Sequence, residues 1–183
     1  ELTRLLAGEV EEGGIDLQPE AWYATRRIER VEGSAGAIRR GARVLVLEDG
    51  RTLPYDRLVL ACGAHAFLPP VPGLDGPGVF RLRTLADARR LLAAIAPGTR
   101  VAGIGGGLLG LETAGALARR GCRPTVLEGA AWLLSRQLAE PAGRVLERHV
   151  EAAGIEVRCG VRVTTVARGS GGLDVRFDGG GPL

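Results

Sequence analysis

An apolar run breaks into three consecutive glycines just where a helical pattern begins, in RVAGIGGGLLGLE at residues 100–112. That junction commits this part of the chain to a strand, a tight turn and a helix. Gly105, Gly107 and Gly110 stand at GxGxxG spacing behind a strand at 101–104, and Glu128 closes the next apolar run, 125–127, about 20 residues on. Each part has a physical job. Gly105 permits the turn, Gly107 lets a pyrophosphate approach the backbone, and Gly110 lets the helix lie close to the strand. The helix N-terminus then offers free N–H groups and partial positive charge to phosphates. In a chain with 29 glycines the spacing alone is weak evidence. Strand, helix and Glu128 together make it a dinucleotide site; without the glycine loop, Glu128 would read as a solvated strand end.

Other function classes find little support. The 183 residues are 45% hydrophobic, enough for one good core or two small ones. No run approaches the length of about 20 apolar residues that spans a bilayer, and the N-terminus lacks a signal pattern, so a cytoplasmic location without membrane association is expected. The net charge of +3 arises from arginines interleaved with acids, and aromatics make up only 4%, which argues against nucleic-acid binding. Cys62, Cys122 and Cys159 are isolated in sequence, so neither a zinc site nor a redox dithiol is expected and small buried roles are. His65 and His149 lack metal-ligand spacing, and His149 reads as structural on a helix. No metal and no Ser/His/Asp triad is expected. Lysine and methionine are absent and the chain opens on Glu1, which reads as an interior piece of a longer protein.

Thr84-x-x-Asp87 is a capping-box start for a helix with Leu85, Ala88, Leu91, Leu92 and Ile95 at helical spacing, ended by Pro97-Gly98. Before it, strands are expected at 28–32, 35–39 and 43–48, with a turn at Asp49-Gly50 and a buried strand at 58–61. After it come the nucleotide strand, a helix over 108–120, a strand over 125–128, a helix from about 138 to 153, and strands at 155–158, 161–166 and 173–177. The two halves repeat each other. Ile28-Glu29 to Gly33 matches Ile155-Glu156 to Gly160, and Val44 to Asp49-Gly50 matches Leu173 to Asp178-Gly179. The first copy lacks a glycine-rich βαβ and the second stops before its matching last strand. Two tandem dinucleotide-binding units, cut at opposite ends, are therefore expected, and a flavin with a nicotinamide is the natural pair.

Several stretches carry a family resemblance: LAGE at 6–9, Trp22-Tyr23, DGRTLPYDRLVLACG at 49–63, PPVPGLDGPGVFRLRTL at 69–85, GIGGGLLGLE at 103–112 and RQL at 136–138. Together they resemble the FAD-dependent pyridine-nucleotide oxidoreductases, especially the flavin portion of NAD(P)H nitrite reductase large subunits and the rubredoxin reductases. The resemblance implies that bound FAD is reduced by NAD(P)H and that electrons pass on to an acceptor. It places Gly105, Gly107, Leu108, Leu109 and Gly110 along the nicotinamide dinucleotide and Glu128 at the adenosine ribose. No arginine follows in Gly129-Ala130-Ala131, which favours NADH over NADPH. It also implies that Arg4 and Glu112 are catalytic and pair beside the flavin edge, and that Cys62 and Gly63 contact FAD. Cys62 stands where threonine is usual, so any flavin contact loses a strong hydroxyl donor. Trp22 and Tyr23 read either as a flavin border or as a packed pair on a surface helix.

The expected fold is α/β, with two partial Rossmann-like three-layer units whose parallel sheets each carry an antiparallel meander. Residues 1–84 would form a partial FAD-binding domain and 85–183 an NAD(P)-binding domain without its last strand. The expected partner is an electron-acceptor protein or domain, for example a nitrite reductase centre, rubredoxin or ferredoxin. Oligomeric state is open, with a homodimer as one option. An inactive fragment, or an NAD-binding module without flavin chemistry, is the alternative.

Overall fold

A computed structural model describes residues 1–180 and 183. By contacts the chain divides into Glu1–Ile15 with His65–Leu183, and Asp16–Ala64. This grouping differs from the 1–84 and 85–183 division by repeated halves. The first helix, α1 (Leu2–Ala7), buries Leu5 and Leu6 among Ala88, Leu91, Ala116, Leu117 and Cys122, and so belongs by packing with the later residues.

The larger unit is built on a parallel sheet of β4 (Arg100–Ile104), β5 (Arg123–Glu128) and β6 (Glu156–Cys159), in that spatial order. Helices α4 (Leu108–Arg119) and α5 (Glu140–Ala152) make the crossovers that parallel pairing requires. The middle strand shows why the sequence builds layers. Val126 and Leu127 are each 1% exposed, yet adjacent strand residues point to opposite faces. Val126 packs with Ala114, Leu133, Ile155 and Val157, whereas Leu127 packs with Val163, Val166, Val175 and Phe177. The second group lies on β7 (Val163–Gly169) and β8 (Gly172–Phe177), an antiparallel pair. Helices, parallel sheet and antiparallel hairpin thus form three layers.

Helix α3 (Leu85–Ala94) starts at the expected capping box: Thr84 Oγ1 accepts from Asp87 N–H at 3.1 Å and Asp87 Oδ2 accepts from Thr84 N–H at 2.8 Å. Before it, Gly73 at φ 87 lies backbone to backbone on β7; a Cβ there would sit 1.8 Å from Val166 O. Leu183 exchanges both backbone hydrogen bonds with Val175 of β8.

The smaller unit holds α2 (Glu20–Thr25) and a meander of β1 (Ala35–Arg39), β2 (Val44–Leu47) and β3 (Thr52–Pro54). Asp49-Gly50 makes the expected turn between β2 and β3: Gly50 takes φ 86, and Asp49 Oδ1 accepts from Arg51 N–H at 3.0 Å. Two expected strands do not form. Residues 28–32 and 58–61 have no regular structure, and Val59 and Leu60 are 83% and 71% exposed rather than buried. Neither segment gains a ladder partner among the described residues, and without one an apolar run has no sheet to join.

Candidate functional site

The glycine loop grows out of β4. Gly105 N–H donates to Leu127 O at 2.8 Å, extending the ladder by one residue, and its φ of 108 then turns the chain away from the sheet. Gly107 is the N-cap of α4 in an extended conformation, φ −78 and ψ 174, with no side chain to cap the helix. The first N–H groups of α4 therefore have no side-chain acceptor at the cap and present partial positive charge. Glycines here do different work. A Cβ on Gly110 would lie 2.1 Å from Gly105 O, so helix and turn touch only because that carbon is absent. A Cβ on Gly105 or Gly107 would meet nothing within 4 Å, so those two border open space. Leu108 and Leu109 follow at 65% and 53% exposure, an apolar edge beside the open glycines. Open backbone, an uncapped helix N-terminus and an apolar margin suit a dinucleotide pyrophosphate.

Glu128 sits at the end of β5, as expected, but its carboxylate already serves the protein. Oε2 accepts from Gly106 N–H at 2.5 Å and Oε1 from Ala130 N–H at 2.7 Å. One side chain thus ties the glycine loop to the turn after β5. A carboxylate offers about four lone-pair directions, so two remain for a ribose hydroxyl. Gly106, the unassigned position of the motif, was not singled out by sequence reasoning. The triple-glycine run is the signal that could have found it.

Arg4 and Glu112 do not pair directly. Arg4 Nη1 lies 3.1 Å from Glu1 Oε2 and its Nε 3.4 Å from Glu9 Oε2, while Thr3 Oγ1 donates to Glu112 Oε2 at 3.2 Å. The cause is local. One residue turns a helix by about 100°, so Thr3 faces α4 while Arg4 reaches the acids that flank its own short helix. The motif resemblance at 2–9 marks Arg4 as the basic residue that follows a Ser or Thr, and gives the pairing to Arg4 rather than to Thr3. A cavity of about 210 Å³ opens there, lined by Thr3, Leu82, Arg83, Leu109 and Glu112 among others, and shares Leu109 with the edge of the glycine loop.

Cys62 and Gly63 lie exposed on a segment without regular structure, Gly63 at φ 73. As they stand in this chain they form no cradle for a flavin. Cys122 is buried with its Sγ 3.6 Å from Ala96 O, and Cys159 is half-buried. Burial, with Glu147 and Glu128 nearby, pushes the Cys159 thiol up to about 11. His149 Nδ1 lies 2.8 Å from Val145 O on α5, the expected structural role. Trp22 and Tyr23 form an edge-to-face pair with ring centres 5.1 Å apart, and Arg26 stacks over Trp22. No group of metal-ligating side chains occurs among the described residues, and no helix among them is long and apolar enough to cross a membrane.

Residues 6–181 match the family model described as pyridine nucleotide-disulphide oxidoreductase. The chain is 36% identical to the nitrite reductase [NAD(P)H] large subunit of Klebsiella oxytoca over 183 residues, all of this chain and 19% of that one. It is 31% identical to rubredoxin-NAD(+) reductase of Pseudomonas putida over 162 residues, 88% of this chain and 42% of the relative. A crystal structure of a ferredoxin reductase from Rhodopseudomonas palustris superposes with a TM-score of 0.87 at 28% identity, covering this whole chain and 46% of the other. The chain thus spans less than half the length of each.

Proposed function

Because the chain belongs to the pyridine nucleotide-disulphide oxidoreductase family, we propose that residues 85–183 bind NADH and that residues 1–84 supply part of an FAD site. When bound, the two cofactors supply a hydride donor and a relay to an electron acceptor. The chain's own contribution is binding and orientation. The N–H groups at the start of α4 receive the pyrophosphate, and Gly107 lets it approach. Glu128 accepts a ribose hydroxyl with the lone pairs that Gly106 and Ala130 leave free, and its charge repels a 2′-phosphate, so NADH is preferred to NADPH. Leu108 and Leu109 cover the dinucleotide and keep water from it. Glu112, held by Thr3, lines the neighbouring cavity with Arg4 one residue from its partner. Hydride transfer asks for positioning rather than acid–base groups, in keeping with a site that has no triad.

The observation that carries this reading is the pair of contrasting glycines: Gly110 pressed to 2.1 Å on Gly105 O, and Gly107 facing open space at the helix N-cap. The acceptor is an electron-transfer protein or domain of the kind that the relatives' names record, a nitrite reductase centre, a rubredoxin or a ferredoxin, and the reaction is cytoplasmic. Calorimetric titration of the chain with NADH and NADPH tests it, with tighter binding of NADH expected. Equal affinity, or preference for NADPH, would refute the role given to Glu128. The exposure of residues 58–63 favours a second reading, in which this chain by itself binds NAD without flavin chemistry. Flavin absorbance after purification, followed by anaerobic addition of NADH, separates the two: retained yellow flavin that bleaches supports the first.

A further inference from the structure

Gly106 is gripped on three sides, by Glu128 and by two residues, Leu133 and Leu134, that the nucleotide-binding reading leaves without a task. Its N–H is taken by Glu128 Oε2 at 2.5 Å, and its carbonyl accepts from Leu134 N–H at 3.3 Å. A Cβ on it would lie 2.6 Å from Leu133 Cδ2 and 3.0 Å from Glu128 Cβ. Its neighbours Gly105 and Gly107 have nothing within 4 Å of such a carbon. The loop therefore has a back, pressed into the protein at Gly106, and a front left open at Gly105 and Gly107.

The residues at the back are held rigidly and at a cost. Leu134 takes φ 52, a left-handed conformation that a leucine rarely adopts. Such strain persists only where the surroundings over-determine it, and it gathers at functional positions. Here the surroundings do so. Leu133 is fully buried, Gln137 and Leu138 N–H both donate to Leu134 O at 2.8 Å, and Trp132 Nε1 donates to Leu138 O at 2.9 Å. Gly143 of α5 packs on Trp132 so closely that a Cβ would lie 2.3 Å from its Cδ1.

We propose that Leu133 and Leu134 are positioning residues for the cofactor loop: Leu133's side chain and Leu134's main-chain N–H hold Gly106 so that the loop has its binding shape before nucleotide arrives. This rests on the reading of the glycine loop as a nucleotide site, but the shape of the free loop can be measured without nucleotide.

Amide hydrogen exchange of the nucleotide-free chain is the first test. The Gly106 and Leu134 N–H groups are expected to be protected in the wild type; in G106A, where Cβ meets Leu133 Cδ2, Gly106-site protection falls at least tenfold. L133V lacks that carbon, so G106A/L133V recovers protection to within about threefold of wild type. Rapid exchange in the free wild type, or undiminished protection in G106A, would overturn the proposal. L134G takes the left-handed conformation freely and keeps the N–H, so it retains protection at Gly106; loss there would overturn the main-chain role. NADH titration of the same proteins follows, with affinity lost in G106A and regained in G106A/L133V. A wild type that is protected at Gly106 yet binds no NADH would refute the nucleotide site and leave the preformed loop standing. Unchanged NADH affinity in G106A would refute the positioning role.

Discussion

Asp87 accepts backbone N–H bonds from Thr84 at 2.8 Å and Arg83 at 3.1 Å and pairs with Arg90, and its carboxyl is held down at about 2 from the usual 3.8, first by the Thr84 N–H. A carboxylate whose folded value is depressed stabilises the fold while ionised, so this contribution is whole above 3.8 and disappears as pH falls through 3.8 towards 2. Thermal melts from about pH 5 to pH 2 should therefore lose less stability in D87N than in the wild type, the variant having already lost this term. At Gly110 the constraint is steric. G110A places a carbon 2.1 Å from Gly105 O, so α4 must shift, and NADH affinity should fall by tenfold or more in a titration. The cysteines divide by environment. Cys62 is exposed, whereas Cys159 is half-buried with its thiol pushed to about 11 and Cys122 is buried with its thiol raised by that burial. With a thiol reagent near neutral pH, Cys62 should label first, since the thiolate is the reactive form and the other two have little of it. Equal labelling rates would contradict this placement.

Helix α1 is six residues long, too short to hold itself in water, and lives by what it touches. Leu6 is fully buried, Gly8 closes the helix at φ 76, and the Arg120 guanidinium donates to Leu6 O at 2.7 Å and Leu5 O at 3.2 Å, meeting the negative end of the helix with a cation. Removing that clamp in R120A should cost about 1.5–3 kcal/mol in denaturant unfolding, the scale of hydrogen bonds to a charged group. Helix α3 depends instead on its own sequence, and T84A, which removes half of the capping box, should cost about 1 kcal/mol. That difference explains what could be read in advance. The start of α3 and the run of β4 into α4 are local patterns with local causes, legible in Thr84-x-x-Asp87 and in the glycine spacing. The partner of Glu112 was not, because the choice between Thr3 and Arg4 depends on how α1 is turned against α4.

Across the whole chain, the repeated segments form a controlled comparison. Ile155-Glu156-Val157-Arg158-Cys159-Gly160 and Ile28-Glu29-Arg30-Val31-Glu32-Gly33 share a pattern, yet only the first becomes a strand. It lies beside β5, with Val126 opposite Val157, while residues 28–32 gain no ladder partner among the described residues. The same holds at 58–61, apolar enough to be read as a buried strand but with Val59 and Leu60 left exposed. The hairpins after each copy need no distant partner: β2 turns through Asp49-Gly50 into β3, and β7 pairs antiparallel with β8. Sequence by itself determined the elements whose bonds are local: the glycine turn with its helix, the capped helix α3 and the Asp-Gly turns, together with the family resemblance that the motifs carry. Tertiary structure alone decided which apolar runs became strands, that Glu128 and Leu134 hold Gly106, and that Thr3 rather than Arg4 reaches Glu112. Hydrogen bonds between segments far apart in the chain, and the direction in which a helix face is turned, exist only once the partner is in place.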